Sequence, residues 1–372
     1  MRVRYSAKEG NIVISSLKGA KVNAILVTPD KEDYVWSNGF YIFYNKSDYF
    51  ETKYIYYILK SDLLRQILDE NLSRGIGISS YYDRDLLRIK VPLVPRNKQI
   101  ETIKKIEKIE YDIKEIRNSI PNVQELIEDV FEKNLKYSPM TELTKKRKTE
   151  IFSTNLKDIG KRLNLRSDPK YFLFWDKTKG KLFKSNKISE VKLRNVMILY
   201  KPTILKKGEL EKKYLLIDKE DIEPKMGIII NENEVTNIGS DKIVFGKCDI
   251  LIPKLRPYLG GTFLNKKDKP IIGTPEFLPY LVNTNILIIE YLKYILLSDN
   301  YLNLVIYLLS GKEHPRINSY DLDSIKIPLP DKTTQKEIVN LINKSLGDLK
   351  EKMTQIYNYK CEIEKVLISS LT

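Results

Sequence analysis

Pro29-Asp30 followed by Glu51-Thr52-Lys53 has the residue types of a metal-dependent nuclease, in which two carboxylates hold Mg²⁺ and a lysine orients water. A chain this rich in charge generates such a pattern readily. Glu51 to Lys53 also abuts a helical pattern that begins near Tyr54, so a structural role at that helix start is the stronger expectation. His314 is the only histidine, and no nucleophile–base arrangement is identifiable around it. No Pro-Pro pair occurs, so the Asn/Asp-Pro-Pro-aromatic loop with which an adenine methyltransferase would hold its flipped base is missing. No Gly-Lys-Ser/Thr follows a glycine loop, and Gly75-Ile76-Gly77 lacks the third glycine of a dinucleotide motif. The expectation is a chain with no catalytic residues, metal or cofactor of its own.

Charge points elsewhere. Sixty-four Lys and Arg against 49 Asp and Glu leave a net charge of +15. Such a balance favours a polyanionic partner, because each neutralised phosphate releases condensed counterions. Hydrophobic residues at 42% and charged residues at 30% fit a globular chain. Its 372 residues suggest two or three units at roughly 150 residues each. Cys248 and Cys361 lie in unrelated contexts without metal-ligand spacing, which suits a reducing cytoplasm. The start, Met1-Arg2-Val3-Arg4-Tyr5, has no apolar stretch of signal length, and no run approaches about eighteen uninterrupted apolar residues, so no membrane association is expected.

The elements that would position functional residues are revealed by an internal repeat. Asn11-Ile-Val-Ile-Ser-Ser-Leu-Lys18 matches Asp249-Ile-Leu-Ile-Pro-Lys-Leu-Arg256, a strand-like run followed by a basic turn. Phe40 corresponds to Phe277, and Tyr54-Ile-Tyr-Tyr-Ile-Leu-Lys-Ser-Asp62 aligns without gaps to Tyr291-Leu-Lys-Tyr-Ile-Leu-Leu-Ser-Asp299, an amphipathic helix in both copies. Each helix leads to a loop with Gly and Arg, at 73–77 and 310–316, and then to Val91-Pro92-Leu93 or Ile327-Pro328-Leu329. Each copy runs on into a helix start carrying Gln99 or Gln335. From there Ile103, Ile106, Ile109, Ile113, Ile116 and Ile120 recur at steps of three and four, and an apolar stripe resumes after Pro121. Ile342, Leu346, Leu349, Met353, Ile356, Ile363, Leu367 and Ser370 repeat the period in the second copy. Two arms of similar length, each following a homologous unit, bury their seams most simply against each other as an antiparallel pair.

The order globular unit, long helix, globular unit, long helix resembles that of type I restriction-modification specificity subunits. The local marks agree: Ile327-Pro328-Leu329-Pro330 through Gln335, its first copy Val91-Pro92-Leu93-Val94-Pro95 through Gln99, the opening Leu156-Lys157-Asp158-Ile159-Gly160, and Cys248-Asp249-Ile250-Leu251-Ile252-Pro253-Lys254-Leu255-Arg256-Pro257. The resemblance implies an α+β fold with two target-recognition domains and an antiparallel coiled coil between them. The boundaries expected are 1–95 for a shortened first domain, 96–137 for the first arm, 138–155 for a linker, 156–330 for a complete second domain and 331–372 for the second arm. It further implies double-stranded DNA as ligand, read at a bipartite target. In that family two adenine methyltransferase subunits dock on the arms and restriction/translocase subunits join them, and the resemblance implies the same partners here. An arm of about 40 residues is about 60 Å long at about 1.5 Å per residue, enough to separate two readers by more than one duplex turn of roughly 34 to 36 Å. By the internal ruler, the first domain opens where the second has already reached about residue 238, so about half of it is missing, either lost or carried on another polypeptide. The alternatives are a metal-dependent nuclease using Asp30, Glu51 and Lys53, and a degenerate specificity subunit that only binds methyltransferase.

Arginine can bond guanine edges bidentately while lysine and backbone groups mainly position phosphates. The expected DNA contacts are therefore basic and aromatic residues flanking the matched strands and helix. In the second copy these are Lys254, Arg256, Tyr258, Lys266, Lys267, Lys312, His314 and Arg316, with Arg162, Arg166, Lys170 and Lys177 from the opening of that domain. Lys18, Lys21, Arg74 and Arg84 are the first copy's candidates. Trp36 and Trp175 are expected in cores rather than stacked on bases.

Overall fold

A computed structural model of the chain describes residues 4–16, 24–37, 39–64, 67, 83–136, 138–139, 169–184, 188–265 and 270–371. Two compact units emerge, Met1–Ser119 with Thr354–Thr372, and Ile120–Met353. In the first, strands β1 (Arg4–Ser6), β2 (Ile12–Ser15), β3 (Ala24–Leu26), β4 (Val35–Ser37) and β5 (Phe40–Phe43) precede helices α1 (Thr52–Lys60), α2 (Asp83–Leu87) and α3 (Arg96–Asn118). The second contains α4 (Val123–Leu135), β6 (Ser138–Pro139), α5 (Pro169–Thr178), β7 (Phe183–Lys184), β8 (Glu190–Lys192), β9 (Met197–Leu199), β10 (Ile204–Leu205) and β11 (Gly208–Leu216). It continues with β12 (Ile222–Glu223), β13 (Ile228–Ile229), β14 (Asn233–Ile238), β15 (Lys242–Val244), β16 (Ile250–Pro253), β17 (Phe263–Leu264), β18 (Ile271–Gly273) and β19 (Phe277–Val282). Helices α6 (Ile289–Leu297), α7 (Asp299–Leu304) and α8 (Ser319–Asp323), strand β20 (Lys326–Pro328) and helix α9 (Lys332–Leu346) follow. Helix α10 (Leu349–Leu371) starts in the second unit and ends in the first.

The repeat is a structural duplication, down to register. Strand β2 is central between β3 and β5, with Ile12 opposite Leu26 and Phe43. Strand β16 is central between β17 and β19, with Ile250 opposite Leu264 and Tyr280. Central position explains why both read as uninterrupted apolar runs, since all four residues of each strand are buried. The pair β1–β4 likewise corresponds to β15–β18, with Ser6 opposite Val35 where Val244 is opposite Ile272. In the second unit that pair lies inside a five-stranded mixed sheet, β10-β15-β18-β11-β14, whereas β1–β4 is a two-stranded sheet. Phe245, Phe263 and Phe277 pack edge to face or tilted across the core beneath the large sheet. Gly273 is required there, because a Cβ would lie 2.4 Å from the Ile217 carbonyl oxygen and from the Phe245 ring.

Opposed helical arms are present in each unit. Helix α1 runs alongside α3, since Glu51 meets Gln99 and the Tyr57 hydroxyl meets Glu110. It runs against α10, since Tyr54 meets Ser370 while the Asp62 amide meets Glu364. Helices α3 and α10 are therefore antiparallel, and Ile103, Ile106 and Leu367 share one core. In the second unit α6 runs alongside α9, from Ile288–Gln335 to Tyr294–Asn343, and against α4, from Leu297–Gln124 to Tyr291–Phe131. The expected break in the first arm falls between α3 and α4, where Pro121 lacks a donor. The second arm, expected to be continuous, breaks too: Gly347 sits at φ 48° between α9 and α10.

Gln99 and Gln335 join the globular parts to these arms. The Gln335 Oε1 accepts from the Ile288 amide, and its Nε2 donates to the carbonyls of Ile286 and Pro330. Gln99 makes the same three bonds to Glu51, Tyr49 and Val94. Both side chains are wholly buried. We predict that Gln335→Ala, which strands three backbone groups, lowers stability of the second unit by about 2–4 kcal/mol. Urea unfolding followed by residue-resolved exchange checks this, and a midpoint equal to wild type would refute it.

Candidate nucleic-acid interface

The second unit's basic candidates converge because two loops are sewn together by backbone bonds. Leaving β16, Lys254 donates its amide to the Glu276 carbonyl and accepts from the Ile317 amide. Arg256 donates to the Pro315 carbonyl. Ser310 and Arg316 exchange both backbone bonds, closing a loop whose turn is made by Gly311 at φ 90° and whose tip exposes Lys312 and His314. Lys254, Arg256, Tyr258, Lys312, His314 and Arg316 thus occupy one pair of adjoining loops.

Arg256 holds a left-handed backbone, φ 50° and ψ 54°, at the head of a short turn, Pro257–Leu259, that ends on Gly260 at φ 68°. A non-glycine residue in this region is uncommon and costs on the order of 1 kcal/mol. The surroundings impose it. The Lys225 amide bonds the carbonyls of Leu259 and Gly260, and a Cβ on Gly260 would lie 2.7 Å from the Lys225 Cα. The Arg256 side chain is exposed, with one long bond from Nη2 to the Glu313 carbonyl at 3.4 Å.

Glu276 organises the cluster, and sequence reading missed it. Its carboxylate takes the Arg316 guanidinium in a fork, Nε to Oε2 at 2.9 Å and Nη2 to Oε1 at 3.0 Å. Those bonds hold the carboxyl below the usual glutamate range. Lys219, also missed, lies close by: burial pushes its ammonium below the ordinary lysine range, Glu276 opposes the shift, and Arg256 and Arg316 reinforce it. The only sequence signal for Glu276 was one acid just before β19 in a basic neighbourhood. Its partner lies 40 residues away.

Of the other candidates, three are among the described residues. Lys170 and Lys177 lie on α5, and Arg84 is exposed on α2 of the first unit. Lys18, Lys21, Arg74, Arg162, Arg166, Lys266 and Lys267 fall outside the described residues. Trp175 packs on Tyr171 and Phe174, and Trp36 on Phe40. The acidic pattern has other uses: Glu51 pairs with Arg96 at 2.7 Å, Lys53 with Glu107, and Asp30 accepts from Thr28 in the short turn Pro29–Lys31. No group of acids, histidines or cysteines among the described residues is arranged to hold a metal, and no described helix is long and apolar enough to cross a membrane.

Fold and site define a duplicated α+β protein with paired helical arms, carrying in its second unit a basic two-loop face. Residues 186–358 match the type I restriction modification DNA specificity domain. Similar solved structures include a chain from a study of complex assembly and conformational transition of the type I R-M system, at 17% identity, covering 100% of this chain and 83% of that one, with a TM-score of 0.35. The HsdS subunit from Thermoanaerobacter tengcongensis is similar at 16% identity, 98% and 81% coverage and a TM-score of 0.32. The type-I restriction-modification S subunit from M. genitalium is similar at 14% identity, 98% and 84% coverage and 0.34. None of the curated proteins matches the chain.

Glu276→Gln keeps the side-chain shape and removes the charge. We expect amide exchange at Arg256, Arg316 and Ile317 to speed up about twofold to fivefold, as suits a part-exposed ion pair of ~1 kcal/mol or less. Unchanged exchange at all three would remove the organising role assigned to Glu276.

Proposed function

We propose that this chain is the sequence-reading subunit of a type I restriction-modification complex, and that Lys254, Arg256, Lys312 and Arg316 form its contact face for duplex DNA in the second unit. The observation that carries this reading is the sewn pair of basic loops within the family-matched segment. The left-handed Arg256 supports it, since backbone strain of this kind gathers at functional positions. Tyr258 and His314 join the same face on this reading, Lys266, Lys267, Arg162, Arg166, Lys170 and Lys177 are further contacts of the second domain, and Lys18, Lys21, Arg74 and Arg84 serve the first half-site.

The proposed division is a shortened reader at 1–95, an arm at 96–137, a linker at 138–155, a complete reader at 156–330 and an arm at 331–372. On it, the opposed arms set the spacing of a bipartite target and dock two adenine methyltransferase subunits, with restriction/translocase subunits completing the complex in the cytoplasm. Methyl transfer and cleavage belong to those partners. Mapping methylated adenines in cells with and without the gene tests this directly. Loss of a bipartite motif supports both readers, loss of a short motif supports the second alone, and an unchanged methylome overturns the proposal.

Arg256→Gly separates DNA contact from folding. Glycine accepts the left-handed backbone, so stability should hold within ~1 kcal/mol. If the side chain meets a phosphate, the slope of log K against log salt for the partnered complex should shrink by about 0.9. An unaltered slope and affinity would exclude Arg256 from the interface.

A further inference from the structure

The counterpart of the sheet β1–β4 in the second unit is clasped between two further strands. There, the equivalent pair β15–β18 is enclosed by one continuous segment: β10 lies on the outer edge of β15, and β11 lies parallel on the outer edge of β18. The Val244 amide donates to the Thr203 carbonyl at 2.9 Å on one edge. On the other, the amides of Leu215 and Ile217 donate to the carbonyls of Pro270 and Ile272, both at 2.9 Å. The corresponding positions in the first unit are Ser6 on β1, and Asp33 and Val35 at β4. No strand among the described residues lies beside either outer edge there.

Side-chain exposure reports the same vacancy. Ile243, Ile271 and Ile272 are 4%, 1% and 0% exposed in the enclosed pair, whereas their counterparts Tyr5, Tyr34 and Val35 are 47%, 55% and 60% exposed. Tyr5 and Tyr34 lie on one side of β1–β4 and Val35 on the other, so apolar surface is exposed on both faces, and with no described strand on either outer edge a pair of added strands would complete the sheet through backbone bonds on the edges and apolar contact beside them. A segment with one short apolar strand and one longer strand mixing charged and aliphatic residues fits, as Ile204-Leu205 and Gly208–Leu216 do in the second unit.

We propose that β1–β4 binds a partner polypeptide carrying such a two-strand segment, with one strand added to the outer edge of β1 and the other, in parallel, to the outer edge of β4. This goes beyond the DNA-reading proposal and stands without it, because its test contains no DNA.

A labelled peptide with the sequence Tyr200–Ile217 is titrated into the full-length protein, with a scrambled peptide as control. The expected result is saturable one-to-one binding that slows amide exchange at Ser6 and leaves 242–244 and 271–273 unchanged. Val35→Lys replaces an exposed side chain that the added strands would bury, and should weaken binding by about tenfold or more. Ser6→Pro deletes the β1 donor and should weaken it as well, with circular dichroism confirming that both variants fold. Absence of binding, equal binding of the scrambled peptide, or protection confined to the second unit would overturn the proposal. So would self-association through β1–β4 that excludes the peptide, since the occupant would then be a second copy of the chain.

Discussion

A buried glutamine amide at the foot of each arm is the constraint on which both halves of this molecule depend. Gln99 and Gln335 each satisfy one backbone amide and two carbonyls at the point where the last strand-side segment turns into the arm, and neither has water to fall back on. A primary amide suits this position: it accepts and donates at once without carrying charge into the interior. Because the three partners come from the start of the short helix and the entrance of the arm, the bond set fixes the direction in which the arm leaves. A flexible hinge at the same place would let the arm sweep, and any spacing function of the arms would be lost.

Fixed at that junction, the arms need only a modest seam. Ile106, Ile342, Met353, Ile356 and Leu367 are fully buried, while Ile113 and Ile116 are only half-buried. Pro121 and Gly347 interrupt the two arms at comparable places, after the first helix of the first arm and between the two helices of the second. One break is enforced by a missing donor and the other by a left-handed glycine, which is why the first could be read from sequence and the second was not. Glycine in a heptad pattern costs little periodicity, so the stripe from Ile342 to Ser370 read as continuous.

What the sequence revealed best was what repeats. Asn11–Lys18 against Asp249–Arg256, and Tyr54–Asp62 against Tyr291–Asp299, predicted matched strands and helices, and the register of β2 and β16 agrees residue for residue. The opposed arms followed from that pattern, and the α+β class from the family resemblance. Non-local polar pairing stayed hidden. Glu276 and Arg316 lie 40 residues apart and each looks like an ordinary surface charge until the chain folds. Val91-Pro92-Leu93 and Ile327-Pro328-Leu329 look alike in sequence, yet only the second copy forms a strand, since Ile327 pairs with Val191 of β8. Leu93 is 70% exposed. Similar local patterns diverge when only one of them has a partner strand among the described residues.

The two-loop face combines backbone strain with a single restraining carboxylate, and the combination has a consequence for how it would meet a polyanion. Arg256 is held in the left-handed region by bonds on both sides, so its exposed guanidinium starts from a defined place and loses little backbone freedom on contact. Arg316 is already engaged by Glu276, and a phosphate must compete with that carboxylate for the same fork of donors. A free arginine at that position would grip any phosphate. One that must first leave a carboxylate gains less from arbitrary backbone contact, so on the proposed DNA-reading role the pairing would lower nonspecific affinity more than affinity for a site that also satisfies Glu276, for instance through a cytosine amino group.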